Sequence, residues 1–314
     1  MRRLVHISDV HFGKINQEQI EPLTRQIHEL KPDVMIISGD LTQRARAWQF
    51  AAARKFLDAL PRPQIVIPGN HDVPLYNIFA RMLFPLTNYK KFISDNLDPF
   101  YQDEEVVIQG VNTARSLTFK NGRINGRQIK MITDRFSKAN RDAIKIVVTH
   151  HPFDAPAGFE ESQLLRHATA AIEELAKCGA DLFLAGHLHL GHIGNTIKRY
   201  KLTETDKEYA ALIVSAGTAT SSRLRGETNS FNVLEIEPST PDKKATAIVE
   251  RYGWDPKTRS YLSILKENYV HAETYDKKYV GWHQPGHEEG QTESSTVDVP
   301  PGERDRGATL TEDA

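Results

Sequence analysis

Five places in this 314-residue chain put Asp, Asn or His side chains directly after a short apolar run. Imidazole and oxygen donors without a thiolate suit Mn²⁺, Fe or Zn²⁺ better than Ca²⁺ or a structural zinc site. One such place is weak evidence, but five in one chain are difficult to explain by packing. The sequence therefore predicts a metal site, and its candidate ligands are Asp9, His11, Asp40, Asn70, His150, His187 and His189.

The number of donors predicts two ions that share a carboxylate. Seven ligands are too many for one ion, and a carboxylate has the two oxygens needed to bridge ions about 3.5–4 Å apart. We expect Asp40 to be the bridge. Two divalent cations and two carboxylates leave a surplus of roughly +2, which a phosphate ester and hydroxide would balance. Such a site activates water as a nucleophile and needs no covalent enzyme intermediate.

These side chains need strands that end together. Residues Val34 to Ser38 form a short apolar run closed by Gly39, which predicts a buried strand with Asp40 just past its carboxyl end. In open α/β sheets, that edge is where ligands bind. Helical spacing alternates with further strands, which indicates a parallel sheet. The predicted helices cover about 16–30, 44–60, 128–138 and 160–177, and the predicted strands about 4–8, 64–67, 106–112, 144–149 and 181–186.

From Ala210 onward, strands follow one another without helices. They are predicted at 212–215, 231–236, 245–252 and 261–265, and we expect them to form a second, largely antiparallel sheet. Two sheets face to face with helices outside give an α/β four-layer α-β-β-α sandwich of mixed sheets. We expect one domain over residues 1–282.

Two segments stand apart from this pattern. Residues 74–101 are rich in aromatic residues and are predicted to be a helical insertion, which packs a core of its own, covers the site as a lid, or does both. Residues 283–314 contain almost no large apolar side chain, so a flexible polar tail is expected there.

The composition limits the partners. With 40 Lys plus Arg against 41 Asp plus Glu, the chain has no overall charge that favours nucleic acid. The single Cys178 excludes an intramolecular disulfide and fits a reducing compartment. No stretch approaches the roughly 18–20 apolar residues of a membrane span. We therefore expect a soluble, cytoplasmic protein, and the sequence leaves open whether it forms a homodimer.

In order along the chain, these motifs resemble those of the calcineurin-like metallophosphoesterases over about residues 1–250. The motifs are Asp-x-His (Asp9, His11), Gly-Asp (Gly39, Asp40), Gly-Asn-His-Asp (Gly69 to Asp72), the strand-end His150 and Gly-His-x-His (Gly186 to His189). The resemblance implies one ion held by Asp9, His11, Asp40 and His189, and a second held by Asp40, Asn70, His150 and His187. It also implies that His71 stabilises or protonates the leaving oxygen and that Asp72 orients it.

Within the superfamily, three motifs are most similar to the class III cyclic-nucleotide and glycerophosphodiester phosphodiesterases. They are Gly-Asp-Leu-Thr (39–42), Pro-Gly-Asn-His-Asp (68–72) and Thr-His-His-Pro (149–152). The chain departs from the Ser/Thr phosphatases, which have Asp-Arg-Gly where this chain has Gln43-Arg-Ala. It also departs from the UDP-diacylglucosamine pyrophosphatases, which have Arg in place of His71. These differences favour hydrolysis of a small phosphodiester.

Alternative functions and weaker site residues follow from the same motifs. A nuclease, a phosphomonoesterase, a UDP-sugar-lipid pyrophosphatase and a metal-free scaffold share the fold, although a scaffold is expected to lack several ligands. His151 is expected to shape the loop before Pro152. The candidates for contact with phosphate or base, which as alternatives form surface ion pairs, are Asn112, Arg115, Arg223 and Arg225.

Overall fold

The computed structural model describes residues 1–76, 78–116, 121–154, 163–195, 208–224, 226–273 and 279–285. Within those ranges, the α-helices are α1 (Ile20–Leu30), α2 (Ala47–Asp58), α3 (Ile78–Leu83), α4 (Thr87–Phe92), α5 (Gly126–Phe136) and α6 (Ala168–Lys177). The strands are β1 (Arg2–Ile7), β2 (Val34–Ile37), β3 (Gln64–Val66), β4 (Phe100–Gln102), β5 (Val106–Val111), β6 (Gly122–Arg123), β7 (Ile144–Thr149), β8 (Leu165–Arg166), β9 (Leu182–Ala185), β10 (His192–Asn195), β11 (Glu208–Ala210), β12 (Leu212–Ser215), β13 (Ser230–Glu237), β14 (Thr246–Asp255), β15 (Ser260–Glu273) and β16 (Tyr279–His283). None of the described helices is both long enough and apolar enough to cross a bilayer.

Two large mixed sheets form the centre of the fold. The first has the strand order β11-β16-β15-β14-β13-β1-β2-β3, and the second has the order β10-β12-β9-β7-β5-β4. Strands β1, β2 and β3 are parallel to one another, as are β5, β7, β9 and β12. The parallel strands of both sheets therefore end in the loops that contain the predicted ligands.

The prediction that the strands after Ala210 form a sheet of their own is wrong. Strand β13 pairs antiparallel with β1, with Val5 opposite Val233, so the antiparallel strands β13, β14 and β15 extend the first sheet. Strand β12 instead joins the second sheet, parallel to β9. Strand β1 pairs with β2 on one side and with β13, from late in the chain, on the other. Strand patterns alone do not show such long-range pairing.

Side chains alternate between two apolar layers. Leu4, Ile36 and Leu234 of the first sheet face Ile146 and Leu184 of the second, and all are buried. The opposite face of the first sheet packs against α1 and α2, and that of the second against α5 and α6. The four-layer α-β-β-α prediction is confirmed.

The helix predicted at 160–177 begins later than expected. Helix α6 starts at Ala168, and Leu165 and Arg166 pair with Gly122 and Arg123 as a short parallel ladder. Residues 155–162 lie outside the described residues, as do 286–314, which include nearly all of the predicted tail.

The insertion is divided between core and surface. Tyr89 of α4 is fully buried, and its hydroxyl donates to the Val66 carbonyl at 3.0 Å. In α3 the buried side chain is Arg81, whose Nε donates to the Ser116 carbonyl at 2.7 Å. The apolar residues of α3 face outward, with Phe79 81% exposed. Helix α4 thus supports the prediction of a packed core, whereas α3 presents an apolar surface held in place by an arginine.

Candidate metal centre

Backbone hydrogen bonds hold the ligand-bearing loops side by side. Beyond the ends of β1 and β2, the Asp9 amide donates to the Gly39 carbonyl at 3.1 Å and the His11 amide to the Asp40 carbonyl at 3.0 Å. In the second sheet, the Gly186 amide donates to the His150 carbonyl at 3.0 Å. The parallel pairing therefore continues past the strands and fixes the spacing between ligands from different loops.

Five of the seven predicted ligands have a left-handed backbone. The φ angles are 53° at Asp9, 55° at His11, 51° at Asp40, 74° at His187 and 58° at His189. Residues other than glycine rarely adopt positive φ, and such strained positions concentrate at functional sites. The backbone turns sharply at each of these five residues, and their side chains are directed toward one another.

Two glycines of the motifs are required by close approach. A Cβ on Gly69 would lie 2.1 Å from Oδ1 of Asp40, and a Cβ on Gly186 would lie 1.9 Å from Oγ of Ser8 and 2.6 Å from Oδ2 of Asp9. Any larger residue at either position would displace a ligand carboxylate. These glycines are therefore part of the site.

The first group of donors comprises Asp9, His11, Asp40 and His189, whose ligand atoms all lie within 4.8 Å of one another. Oδ1 of Asp9 lies 3.2 Å from Nε2 of His189 and 3.5 Å from Nε2 of His11. The two Nε2 atoms are 3.1 Å apart. Four buried donors thus converge on one point.

The second group meets the first at Asp40. Oδ2 of Asp40 lies 3.6 Å from Nε2 of His11, whereas Oδ1 lies 3.4 Å from Nε2 of His150. Oδ1 of Asn70 lies 3.0 Å from Nε2 of His150 and 3.0 Å from Nδ1 of His187. The two oxygens of Asp40 therefore face different donor groups, which is the arrangement a bridging carboxylate needs.

The outer nitrogens of two imidazoles are held by backbone carbonyls. Nδ1 of His150 donates to the Ser38 carbonyl at 2.8 Å, and Nδ1 of His189 donates to the Arg223 carbonyl at 3.0 Å. Such bonds fix the tautomer that leaves Nε2 free to bind an ion.

Opposite charges compensate one another in the buried centre. Burial alone would raise the pKa of Asp9, but His189 and His11 outweigh burial and hold that pKa well below its usual value. Burial alone would lower the pKa of His150, but Asp40 outweighs it and raises the pKa to about 9. In the absence of an ion, protonated imidazoles therefore balance the carboxylates. Ions that bind here must displace those protons.

The donor set fits divalent metal ions. Oδ1 of Asp9 is buried and has no hydrogen-bond partner among the described residues, although it faces two imidazoles. The imidazole of His189 compensates the charge of that oxygen in the metal-free protein, and a divalent cation would pair with it instead. Mixed nitrogen and oxygen donors of this kind suit Mn²⁺, Fe and Zn²⁺.

His71 lies beside the first group of donors. Its ring packs edge-on against the ring of His11, with centroids 4.9 Å apart. Its Nδ1 lies 3.0 Å from the Gln43 carbonyl, to which it donates. The backbone amide of His71 donates to Oδ1 of Asp40 at 2.8 Å. Nε2 of His71 is therefore the ring nitrogen that does not contact the Gln43 carbonyl.

Asp72 connects two ligand loops. Its carboxylate accepts from the amides of Leu41 (3.1 Å), Thr42 (2.9 Å) and Gly69 (2.9 Å), and from Oγ1 of Thr42 at 2.9 Å. These bonds position the backbone next to Asp40 and Asn70. The imidazole of His71 is held by Gln43 instead, so any effect of Asp72 on His71 acts through the backbone.

The predicted substrate-binding residues have different positions. Nη1 of Arg223 lies 3.2 Å from Nε2 of His71, beside the centre. Arg115 donates to the carbonyls of Asn112 and Ala114 and to Oε1 of Gln128, and Oδ1 of Asn112 accepts from the Ala114 amide. Those bonds attach Asn112 and Arg115 to the loop after β5 and to helix α5. Arg225 lies outside the described residues.

Sequence reasoning missed Arg44 and gave His151 only a loop-shaping role. Nη1 of Arg44 lies 3.4 Å from Nδ1 of His71, and its guanidinium lies 5.6 Å from the ring centroid of Tyr76. His151 lies with His150 and His187 in a group whose ring nitrogens are within 4.8 Å of one another. Arg44 has no motif of its own, and only its position four residues after Asp40 was available as a signal.

Together, this fold and this donor arrangement are typical of the metal-dependent phosphoester hydrolases. The model of the calcineurin-like phosphoesterase family matches residues 2–191, and the chain belongs to that family. The predicted family is thus confirmed.

Similar proteins agree with that class. A glycerophosphodiester phosphodiesterase GpdQ of Enterobacter lignolyticus is 35% identical over 80 residues, a match that spans 22% of this chain and 29% of that relative's length. A probable cyclic nucleotide phosphodiesterase of Ruthia magnifica is 23% identical over 59% of this chain and 77% of its own length.

Solved structures share the fold. A dimetal phosphatase of Danio rerio has a TM-score of 0.57 at 12% identity, covering 84% of this chain and 98% of its own. A purple acid phosphatase of yellow lupin has a TM-score of 0.58 at 13% identity, covering 80% of this chain and 51% of its own. At these identities the similarity shows the fold and no more.

Proposed function

We propose that the protein is a phosphodiesterase that hydrolyses a small phosphodiester, such as a cyclic nucleotide or a glycerophosphodiester. The observation that supports this most directly is that Oδ2 of Asp40 faces His11 in the first group of donors, whereas Oδ1 faces His150 in the second. The names of the GpdQ and cyclic nucleotide phosphodiesterase relatives favour a diester.

In this proposal, one ion is held by Asp9, His11, Asp40 and His189, and the other by Asp40, Asn70, His150 and His187. The pair is Mn²⁺, Fe or both, and Zn²⁺ also fits the donors. When bound, such ions lower the pKa of water and neutralise charge on phosphoryl oxygens.

The chain's own residues have two tasks in the reaction. The carboxylates and imidazoles would hold the ions, which would supply the activated water. As the bond from water oxygen to phosphorus forms, the bond from phosphorus to the ester oxygen breaks. The leaving oxygen takes a proton from Nε2 of His71, which the Gln43 carbonyl orients through Nδ1, and the proton that the water releases restores His71. A positioned acid of this kind contributes about 10²–10⁴-fold in rate.

A second candidate is a pyrophosphatase that acts on a nucleotide-linked substrate. The guanidinium groups of Arg44 and Arg223 lie 3.4 Å and 3.2 Å from the two nitrogens of His71. These two guanidinium groups beside His71 would pair with a second anionic group on the substrate, because Arg is well suited to bind phosphate. A simple diester lacks that group.

The test is hydrolysis by metal-stripped protein with and without added Mn²⁺. Bis(4-nitrophenyl) phosphate is compared with 4-nitrophenyl phosphate, and the panel then includes cyclic nucleotides, glycerophosphodiesters, UDP-sugars and single-stranded DNA. Mn²⁺-dependent preference for the diester supports the proposal. Preference for the monoester would make the protein a phosphatase, and preference for UDP-sugars would favour the second candidate.

A variant separates the role of His71 from metal binding. His71→Ala is expected to keep both ions and to lose about 10²–10⁴-fold in kcat, with the smallest loss on substrates whose leaving group is a weak base. Loss of the ions from this variant would show that His71 is a ligand rather than an acid.

A further inference from the structure

His151 follows a predicted ligand and lies in the same buried cluster. It is fully buried, and its ring centroid lies 4.9 Å from that of His150 and 4.6 Å from that of His187. The three histidines each offer a ring nitrogen, and these nitrogens lie within 4.8 Å of one another. Donors bound cis to one ion at about 2.1 Å lie roughly 3 Å apart, and trans donors about 4.2 Å apart, so small movements bring these nitrogens to one ion.

Hydrogen bonds leave one nitrogen of His151 without a partner. Nδ1 lies 2.8 Å from Oγ1 of Thr113, and that oxygen also accepts from the His151 amide at 3.4 Å. Nε2 is buried and has no hydrogen-bond partner among the described residues. When Nδ1 donates to Thr113, the lone pair is on Nε2, and a buried polar atom without a partner is unfavourable. An ion would satisfy it.

Packing keeps this ring in place. A Cβ on Gly122 would lie 2.4 Å from the His151 ring, so glycine at that position gives the ring its space.

We propose that His151 is a further ligand of the ion bound by Asp40, Asn70, His150 and His187. This inference rests on the dinuclear centre of the proposed function. It makes that position richer in nitrogen, with three imidazoles and two oxygen ligands, than the position of Asp9, His11, Asp40 and His189, which has two of each. Imidazole suits Zn²⁺ and Fe better than Mn²⁺, so the second position is the one that selects Zn²⁺ or Fe.

The direct test uses the unmodified protein. Metal-free protein labelled with ¹⁵N at histidine is loaded with ¹¹³Cd²⁺, and scalar couplings between ¹¹³Cd and imidazole nitrogen are counted for each ion. Three imidazoles coupled to one ¹¹³Cd, including Nε2 of His151, are expected. Two imidazoles at that ion, with His151 uncoupled, would overturn the proposal.

Metal titration of variants provides a second test. Zn²⁺ and Mn²⁺ are titrated calorimetrically into metal-free wild type, His151→Phe and the control His271→Phe. The control removes a histidine of β15 that packs against Trp282 of β16. His151→Phe is expected to lower the affinity for Zn²⁺ at the site of Asp40, Asn70, His150 and His187 by at least about tenfold, and to reduce the ratio of Zn²⁺ to Mn²⁺ affinity there. Loss even of a residue that only hydrogen-bonds to a ligand lowers metal affinity about 10–100-fold. The control is expected to match wild type.

The outcomes separate this inference from the proposed function. If His151→Phe binds both ions as tightly as wild type, His151 is not a ligand. If the couplings appear in a protein that hydrolyses no phosphodiester, the ligand assignment stands and the proposed activity fails. If diester activity is present and His151 is uncoupled, the activity stands and the ligand assignment fails.

Discussion

Asp72→Asn tests whether a buried carboxylate holds the two ligand loops together. Each carboxylate oxygen accepts two hydrogen bonds: Oδ2 from the amides of Leu41 and Gly69, and Oδ1 from the amide and hydroxyl of Thr42. Asn has the same shape but one acceptor oxygen. If its NH₂ group replaces Oδ2, the amides of Leu41 and Gly69 lose their acceptor; if it replaces Oδ1, the Thr42 amide does, whereas the Thr42 hydroxyl can still donate to the His71 carbonyl at 3.3 Å. The site is buried, and each unsatisfied donor costs about 1–3 kcal/mol.

The loss therefore amounts to about 1–6 kcal/mol before any compensation. One compensation is present, because burial and then the nearby charge of Asp40 raise the pKa of Asp72 to about 7. A neutral amide removes that repulsion, which places the expected destabilisation near the lower end, at about 1–3 kcal/mol. Since the lost bonds position the backbone beside Asp40 and Asn70, the ion that those two residues share should also bind more weakly.

The assay is urea unfolding of metal-free protein, followed by calorimetric titration with Mn²⁺. Asp58→Asn is the matched control, because the Asp58 side chain is 57% exposed and pairs only with surface arginines among the described residues. Surface pairs contribute about 0–1 kcal/mol, so this control should barely change the midpoint. If Asp72→Asn were within 0.5 kcal/mol of the control and bound Mn²⁺ normally, the four hydrogen bonds would not explain the arrangement of the loops.

Three further predictions follow from other buried groups. Asp40→Ala should lose both ions whereas Asp9→Ala loses one, as measured by metal analysis after dialysis; a single retained ion in Asp40→Ala would contradict the bridging arrangement. Burial lowers the pKa of His6 to about 3, below the unfolded value of about 6.5, so the unfolded state binds one more proton between those values and stability falls with decreasing pH. His6→Gln should therefore reduce the slope of unfolding free energy against pH by about 1.4 kcal/mol per pH unit between pH 4 and 6, measured by urea unfolding, and an unchanged slope would show that His6 already titrates in the folded state. Tyr89→Phe removes the only hydroxyl that donates to the Val66 carbonyl among the described residues, and should cost about 1–2 kcal/mol in the same assay; no loss would mean that the insertion does not depend on this bond.

The sequence predicted most of the parallel core because its signals are local. The stretch that ends at Asp40 includes an apolar run as long as a strand, then a glycine for the turn, then the ligand. Within that run, Met35 and Ile36 lie in different apolar layers, as expected for a buried strand. The seven predicted ligands meet because the parallel strands of both sheets carry them in the loops after their carboxyl ends. The division of those strands between two sheets does not follow from their order along the chain.

Features that depend on partners distant in sequence were not predicted. The pairing of β13 with β1 joins residues about 230 positions apart, and nothing in either strand identifies the other. Arg44 approaches His71 only because two loops fold together, and its neighbours in sequence give no sign of this. The outward-facing apolar residues of α3 contradict the usual rule of burial, since the position of that helix is set by the buried Arg81.

The left-handed ligand positions have a consequence for transferring this centre to another scaffold. A designer who copied only the side chains of Asp9, His11, Asp40, His187 and His189 onto ideal loops would place them on backbones with negative φ, from which they would point elsewhere. Each residue held at positive φ destabilises the fold by about 1 kcal/mol or more, and the packing of the surrounding sheets must offset that strain. The transferable unit is therefore the loop together with the pair of sheets that holds it, and a successful graft would be recognised first by its backbone angles.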